Sequence, residues 1–181
     1  MSYCDFINQS EVKNSDFLLH EYYHDNEYGF PIEDDNELFG RLLLEINQAG
    51  LSWTLMLRKK ESFRSAYSNF DIAKVAAYTD EDIARLLADP GIVRNRLKVN
   101  AAVNNARVIV ELQQAFGSFK KWLDHHHPQT KAEWVKLFKK TFRFTGGEIV
   151  NEFLMSTGYL PGAHMPSCPV YRKLVEKGVY K

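Results

Sequence analysis

The chain has 181 residues, 45% of them hydrophobic and 13% aromatic, and its 23 Lys and Arg balance 23 Asp and Glu for a formal net charge of zero. That length fits one domain, or one with a small appended lobe, and a domain of this size buries roughly 70% of its unfolded surface without a covalent staple. The apolar and aromatic content excludes disorder, and the neutral balance excludes a strongly basic nucleic-acid footprint, so any DNA contact must come from local clusters.

The first twenty residues show little periodicity. Leu18 to Pro31 is dense in aromatics and histidines and closes on Gly29 and Pro31, the marks of a loop; a loop docked over a core is its plain reading. The first strong helix runs from Asn36 to about Asn47. A second runs from Ser52 through Lys60, with Glu61 to Tyr67 continuing or restarting it. Asp71 is placed to cap a short helix, Ile72 to Ala77. Thr79-Asp80-Glu81-Asp82 has capping-box spacing and opens a helix that must stop before Pro90. A long helix follows to about Phe116, closed by Gly117, with Leu97, Ala101, Val108 and Leu112 on its apolar face. Ser118 and Thr130 cap two shorter helices, and Glu148 to Thr157 reads as the last, ended by Gly158. Alternating segments are almost absent, so the expected fold is all-α with about eight to ten helices. Without a signal-peptide pattern or an apolar run near 18 residues, a cytoplasmic protein with no membrane partner is expected.

Three groupings could carry chemistry. The first is the corner between two helices. Leu38, Leu42 and Glu45 fall at i, i+4 and i+7 and share a helical face. Gly50 is placed to end that helix and Ser52 to cap the next, which Trp53 opens. An acid and a large flat ring are brought together, although periodicity alone also allows Glu45 at the rim of the face and Trp53 as core filling. The second is the helix, Pro90-Gly91 turn and helix, where the N–H groups of Gly91, Ile92 and Val93 could meet a DNA phosphate, with Arg94, Arg96 and Lys98 adding charge. Many helix pairs share such a turn. The third is Cys4, His24, His164 and Cys168. A cytosolic setting disfavours a Cys4–Cys168 disulfide, leaving metal ligation or unrelated buried thiols open. His125-His126-His127 cannot converge on one ion from a helix and reads as a surface turn.

Glu45, then Gln48-Ala49-Gly50-Leu51-Ser52-Trp53, with Tyr23-His24-Asp25-Asn26-Glu27-Tyr28-Gly29 upstream, resembles the DNA-3-methyladenine glycosylase I family over most of residues 4 to 168. The resemblance implies a helix-hairpin-helix glycosylase that removes N3-methylated adenine from alkylated double-stranded DNA. It implies Glu45, Tyr23 and Trp53 as the base pocket, and a structural zinc held by Cys4, His24, His164 and Cys168. Phe6 and Tyr28 are then the further stacking rings for a flipped 3-methyladenine. The organisation expected is one unit, 1–181, acting as a monomer. A helical hairpin core would span 36–116, and residues 1–35 with 117–181 would form a zinc-pinned terminal lobe.

The chain departs from the family pattern in places. Phe6 and Tyr28 stand where Trp is frequent, His20 where Tyr is common, and Ile46 where a small residue is expected. A lesion-binding module without turnover and a zinc-pinned interaction domain are the competing readings. The basic runs Arg58-Lys59-Lys60, Arg94/Arg96/Lys98 and Lys139-Lys140/Arg143 favour DNA if they share a face.

Overall fold

The computed structural model describes residues 2–180. The regular structure of the described residues is helical, without a strand. It comprises α1 (Tyr3–Gln9), α2 (Ser15–Asn26), α3 (Asp35–Gln48), α4 (Trp53–Ala66), a 3-10 turn (Ser68–Phe70), α5 (Ile72–Ala76) and α6 (Asp80–Ala88), then α7 (Arg96–Phe116), α8 (Phe119–His126), α9 (Lys131–Thr141), α10 (Gly147–Ser156) and α11 (Pro169–Glu176). No helix among the described residues is long and apolar enough to cross a membrane.

Helix α3 is the axle. Asp34 caps it by accepting from the Glu37 N–H at 3.0 Å, and all ten residues from Leu38 to Asn47 are buried. A helix buried on every side must be surrounded by other elements. Gly40 makes one such approach possible: a Cβ there would collide with the Phe70 ring. At its start, the Asp35 carboxylate accepts the N–H groups of Phe119 and Lys120 at 2.8 and 3.0 Å, docking the N-terminus of α8.

The expected caps are present at Asp71, Thr79, Ser118 and Thr130, Asn95 caps α7 without having been expected, and Gly117 takes the left-handed conformation that ends α7. Helix α4 runs unbroken through Glu61. Three helices were not expected: α1, α2 and α11, the last lying beyond the segment read as final. Their hidden faces explain this. The buried residues of α2 are Phe17, His20, Tyr23 and His24, half of them polar, so no apolar stripe shows. Helices α1 and α11 are seven and eight residues long and bury two side chains each.

The packing redraws the expected lobes. One apolar core joins α3–α7 to Phe119, Trp122, Trp134, Phe138 and Phe153 of α8–α10. Helices α8–α10, expected in the terminal lobe, therefore belong to the main body. A separate small cluster of Cys4, Cys168, Val170 and Leu174 joins α1 to α11.

Candidate active site

The turn from α3 to α4 is tightly fixed. Gly50 adopts φ 80°, Leu51 N–H reaches Gln48 O at 2.7 Å, and Ser52 caps α4 through Leu55 N–H. The Lys98 ammonium donates to the carbonyls of Asn47 and Ala49 at 2.7 and 2.6 Å, closing the C-terminus of α3. Trp53 is thereby held one turn from Glu45.

Both line a cavity of about 560 Å³, together with Tyr3, Phe6, His20, Tyr23, Tyr28, Gln48, Thr54 and Glu152. The rings form a near-continuous wall. Tyr23 lies 5.3 Å from Trp53 and 5.6 Å from Tyr28 between centroids, while Tyr3 sits edge-on to Tyr28 at 5.3 Å and stacks on Phe6 at 6.2 Å. Such a cavity is within the size range of small-ligand sites and offers the flat faces an extruded base needs. Ile46 does not line it. That side chain packs into the main core, so the bulk at this position is not taken from the pocket.

Glu45 is 4% exposed, and no hydrogen bond among the described residues involves its carboxyl group. Burial pushes its pKa up to about 8, the Arg41 guanidinium pulls it down, and Glu152 pushes it further up. Arg41 is engaged elsewhere. It donates to Ser156 O and to Glu27, and it lies over the Tyr23 ring at 5.1 Å.

Cys4, His24, His164 and Cys168 are buried and converge, their ligand atoms all within 4.8 Å of one another. The recorded S···N separations are 3.4, 3.6, 3.7 and 3.8 Å. A tetrahedral zinc with ordinary bond lengths requires about 3.6 Å between a thiolate and an imidazole nitrogen. The outer hydrogen bonds agree. His24 Nδ1 lies 2.7 Å from Asp25 Oδ1 and His164 Nε2 lies 2.7 Å from Tyr28 O, so each ring can donate outward and offer its other nitrogen inward. The chemistry of the donor set fits a metal ion. The same helices serve both features: α1 carries Cys4 between Tyr3 and Phe6, and α2 carries His24 beside His20 and Tyr23.

The hairpin differs from expectation in three respects. Gly91 N–H is taken by Asp89 Oδ1 at 2.7 Å and Ile92 N–H is directed to Asp89 O at 3.4 Å, while the Ile92 side chain is buried. Lys98 points inward, 4% exposed, and so presents no charge to a phosphate. Val93 is half-buried, and Arg94 and Arg96 stay exposed. The Arg58–Lys60 run is also engaged internally: Arg58 pairs with Asp16, Lys59 holds Pro90 O, and Lys60 pairs with Glu27. Lys139, Lys140 and Arg143 are exposed.

The sequence reading missed four polar or aromatic members of the cavity, namely Tyr3, Gln48, Thr54 and Glu152, and gave His20 no role. His20 sits between Tyr3 Oη and Thr54 Oγ1, each at 2.8 Å. Tyr3 could have been found from its i+3 spacing to Phe6; Glu152 carries no local signal.

A family profile described as methyladenine glycosylase matches residues 13–135, which include Tyr23, Glu45, Trp53 and the hairpin. DNA-3-methyladenine glycosylase 1 of Escherichia coli is 35% identical, the match covering 94% of this chain and 97% of that one. DNA-3-methyladenine glycosylase of Haemophilus influenzae is 34% identical over 81% of this chain and 89% of its own. A solved 3-methyladenine DNA glycosylase I in complex with 3-methyladenine superposes with a TM-score of 0.81 at 34% identity, covering 94% of this chain and 97% of that one. The Staphylococcus aureus 3-methyladenine DNA glycosylase I gives 0.77 at 34% identity, over 88% and 93%. With Glu45 buried beneath a ring of aromatic side chains and this degree of similarity along nearly the whole length, the chain belongs to the methyladenine glycosylase family.

Proposed function

We infer that this protein is a base-excision glycosylase that hydrolyses the N-glycosidic bond of 3-methyladenine in alkylated DNA and leaves an abasic site. The observation that carries the reading is the cavity itself: a buried, unpartnered carboxyl faced by Tyr3, Tyr23, Tyr28 and Trp53. A base can reach Glu45 only after leaving the duplex stack. N3-methylation gives that base a positive charge. The charge strengthens stacking on electron-rich rings and weakens the bond to the sugar, because the base can leave neutral. Little general-acid help is then needed. Glu45 accepts hydrogen bonds from the adenine amine edge. In the empty pocket its burial favours the protonated form, and an arriving cation shifts it to the ionised, accepting form. Tight enclosure and a positioned water complete the hydrolysis.

The four Cys and His side chains would hold a zinc ion. A closed four-ligand site supplies no open coordination position, so the metal's part is structural. Docking on double-stranded DNA is assigned to the face carrying Val93, Arg94 and Arg96. A monomer is taken as the working unit, and a DNA substrate with unpaired cysteines suits the cytoplasm. The test is to incubate the protein with methylated DNA and identify the bases set free. Release of 3-methyladenine is expected. Salt-sensitive binding without release would replace this reading by a lesion-binding module.

A further inference from the structure

Glu152 enters the cavity from α10, half-buried, and its Oε2 accepts from the Tyr28 hydroxyl at 3.4 Å. The cavity thus has two carboxyls, Glu45 from α3 and Glu152 from α10, and its lining includes no Lys or Arg. The nearby cations stand behind the wall. Arg41 lies across the Tyr23 ring and is engaged by Glu27, and Lys131 on α9 is paired with Glu148 at 3.2 Å. The other titratable groups in the lining are Tyr3, Tyr23, Tyr28 and His20. Burial raises both carboxyls; Glu152 pushes Glu45 further up, while on Glu152 itself the Tyr28 hydroxyl, Asn151 and Lys131 pull down and Glu148 pushes up. An uncharged base entering such a pocket leaves both acids biased toward the protonated, neutral form and gains no charge–charge attraction. A base that carries its own positive charge gains that attraction.

We propose that Glu152 is a specificity-determining residue for base release: with Glu45 it makes a two-carboxyl pocket, bare of lining cations, that selects an alkylated base for its positive charge and disfavours an uncharged base of the same shape. An attraction that one of two ligands of the same shape gains and the other lacks is a difference in affinity, and so a basis for selection. The inference rests on the glycosylase reading above and assigns a residue outside the Glu45, Tyr23 and Trp53 set.

The test compares Glu152→Gln with wild type on two DNA probes. One carries 3-methyladenine. The other carries an uncharged isostere in which carbon replaces the methylated ring nitrogen. The Gln variant should lose about tenfold in kcat/KM on the cationic lesion, the factor set by 1.4 kcal/mol. Its affinity for the isostere should be unchanged or increased, and Glu152→Asp, which keeps the charge, should recover most of the discrimination. Equal losses on both probes, or full activity on the cationic lesion, would overturn the assignment. A wild-type protein that releases no 3-methyladenine would instead remove the glycosylase reading beneath it, so the two failures are distinct.

Discussion

Glu45 and Tyr28 face one cavity, but different forces hold them. Glu45 sits on α3, whose ten central residues are buried against elements drawn from most of the chain. Close packing on that scale leaves the acid no alternative position. Tyr28 follows α2 and sits in a small cluster whose buried members are Tyr23, Tyr28 and Ala163, beside the Cys4, Cys168, Val170 and Leu174 cluster. Its carbonyl is fixed by His164, whose other ring nitrogen faces Cys4 and Cys168. The acidic side of the pocket is over-determined by apolar packing. The Tyr28 side rests on a small cluster and on the carbonyl contact with His164 of the Cys and His group. Loss of a single ligand should therefore separate the two sides in a way that loss of a single core methyl would not.

The largest effect is expected from Cys168→Ser. Structural zinc sites supply on the order of 10 kcal/mol of folding free energy in small domains, and weakening a site's surroundings alone costs about 10–100-fold. The variant should lose stoichiometric zinc, and base release should fall at least about 100-fold. Unfolding of the main body, followed through Trp122 and Trp134 in that core, should stay cooperative. Metal analysis and tryptophan fluorescence during urea unfolding report the two parts separately. Collapse of the whole chain in one transition, at greatly reduced urea, would show that the lobe and the main body are one unit.

The same contrast explains what the sequence revealed. Helices α3 to α10 were legible because their apolar residues repeat at helical spacing and their caps are explicit at Asp71, Thr79, Ser118 and Thr130. The Glu45–Trp53 corner was legible for the same reason, since Gly50 and Ser52 dictate where one helix ends and the next begins. Helix α2 was not, because two of its four buried residues are histidines whose partners lie far along the chain. Glu152 was invisible as a pocket member because only the tertiary packing of α10 beside Tyr28 gives it a role. Lys98 was misread for a related reason. A lysine near a helix start reads as surface charge, and nothing local announces that its stem is covered and its ammonium closes another helix.

A smaller effect should sharpen the acidic side of the comparison. Glu45 has an ordinary pKa near 4.5 when unfolded and about 8 when folded and empty. Below pH 4.5 both states are protonated. Between those values the unfolded chain ionises while the folded protein holds its proton, so stability falls as pH rises, and above about 8 it levels off. Glu45→Gln removes this dependence. The variant should match wild type near pH 5 and exceed it near pH 8 by at most ~5 kcal/mol, the full value of that shift. Urea unfolding at both pH values measures it, and base release by the same variant should drop while the fold persists. A difference that is constant across pH would mean that the carboxyl stays ionised in the folded protein, relieved by Arg41.

The smallest effect concerns the hairpin, where two neighbouring cations should behave oppositely. Arg94 is exposed and, among the described residues, forms no ion pair, whereas Lys98 is buried with its ammonium on Asn47 O and Ala49 O. A side chain that neutralises one phosphate releases about one counterion on binding DNA, so Arg94→Gln should reduce the slope of log affinity against log salt by roughly 0.9. Lys98→Met should leave that slope unchanged. It should instead destabilise the protein by about 1–3 kcal/mol, because two helix-terminal carbonyls lose a charged donor. Binding to duplex DNA at several salt concentrations, beside urea midpoints, resolves the two behaviours. If Lys98→Met changed the salt slope and Arg94→Gln did not, the docking face would have to be moved from the exposed side of the turn to the side that Lys98 now closes.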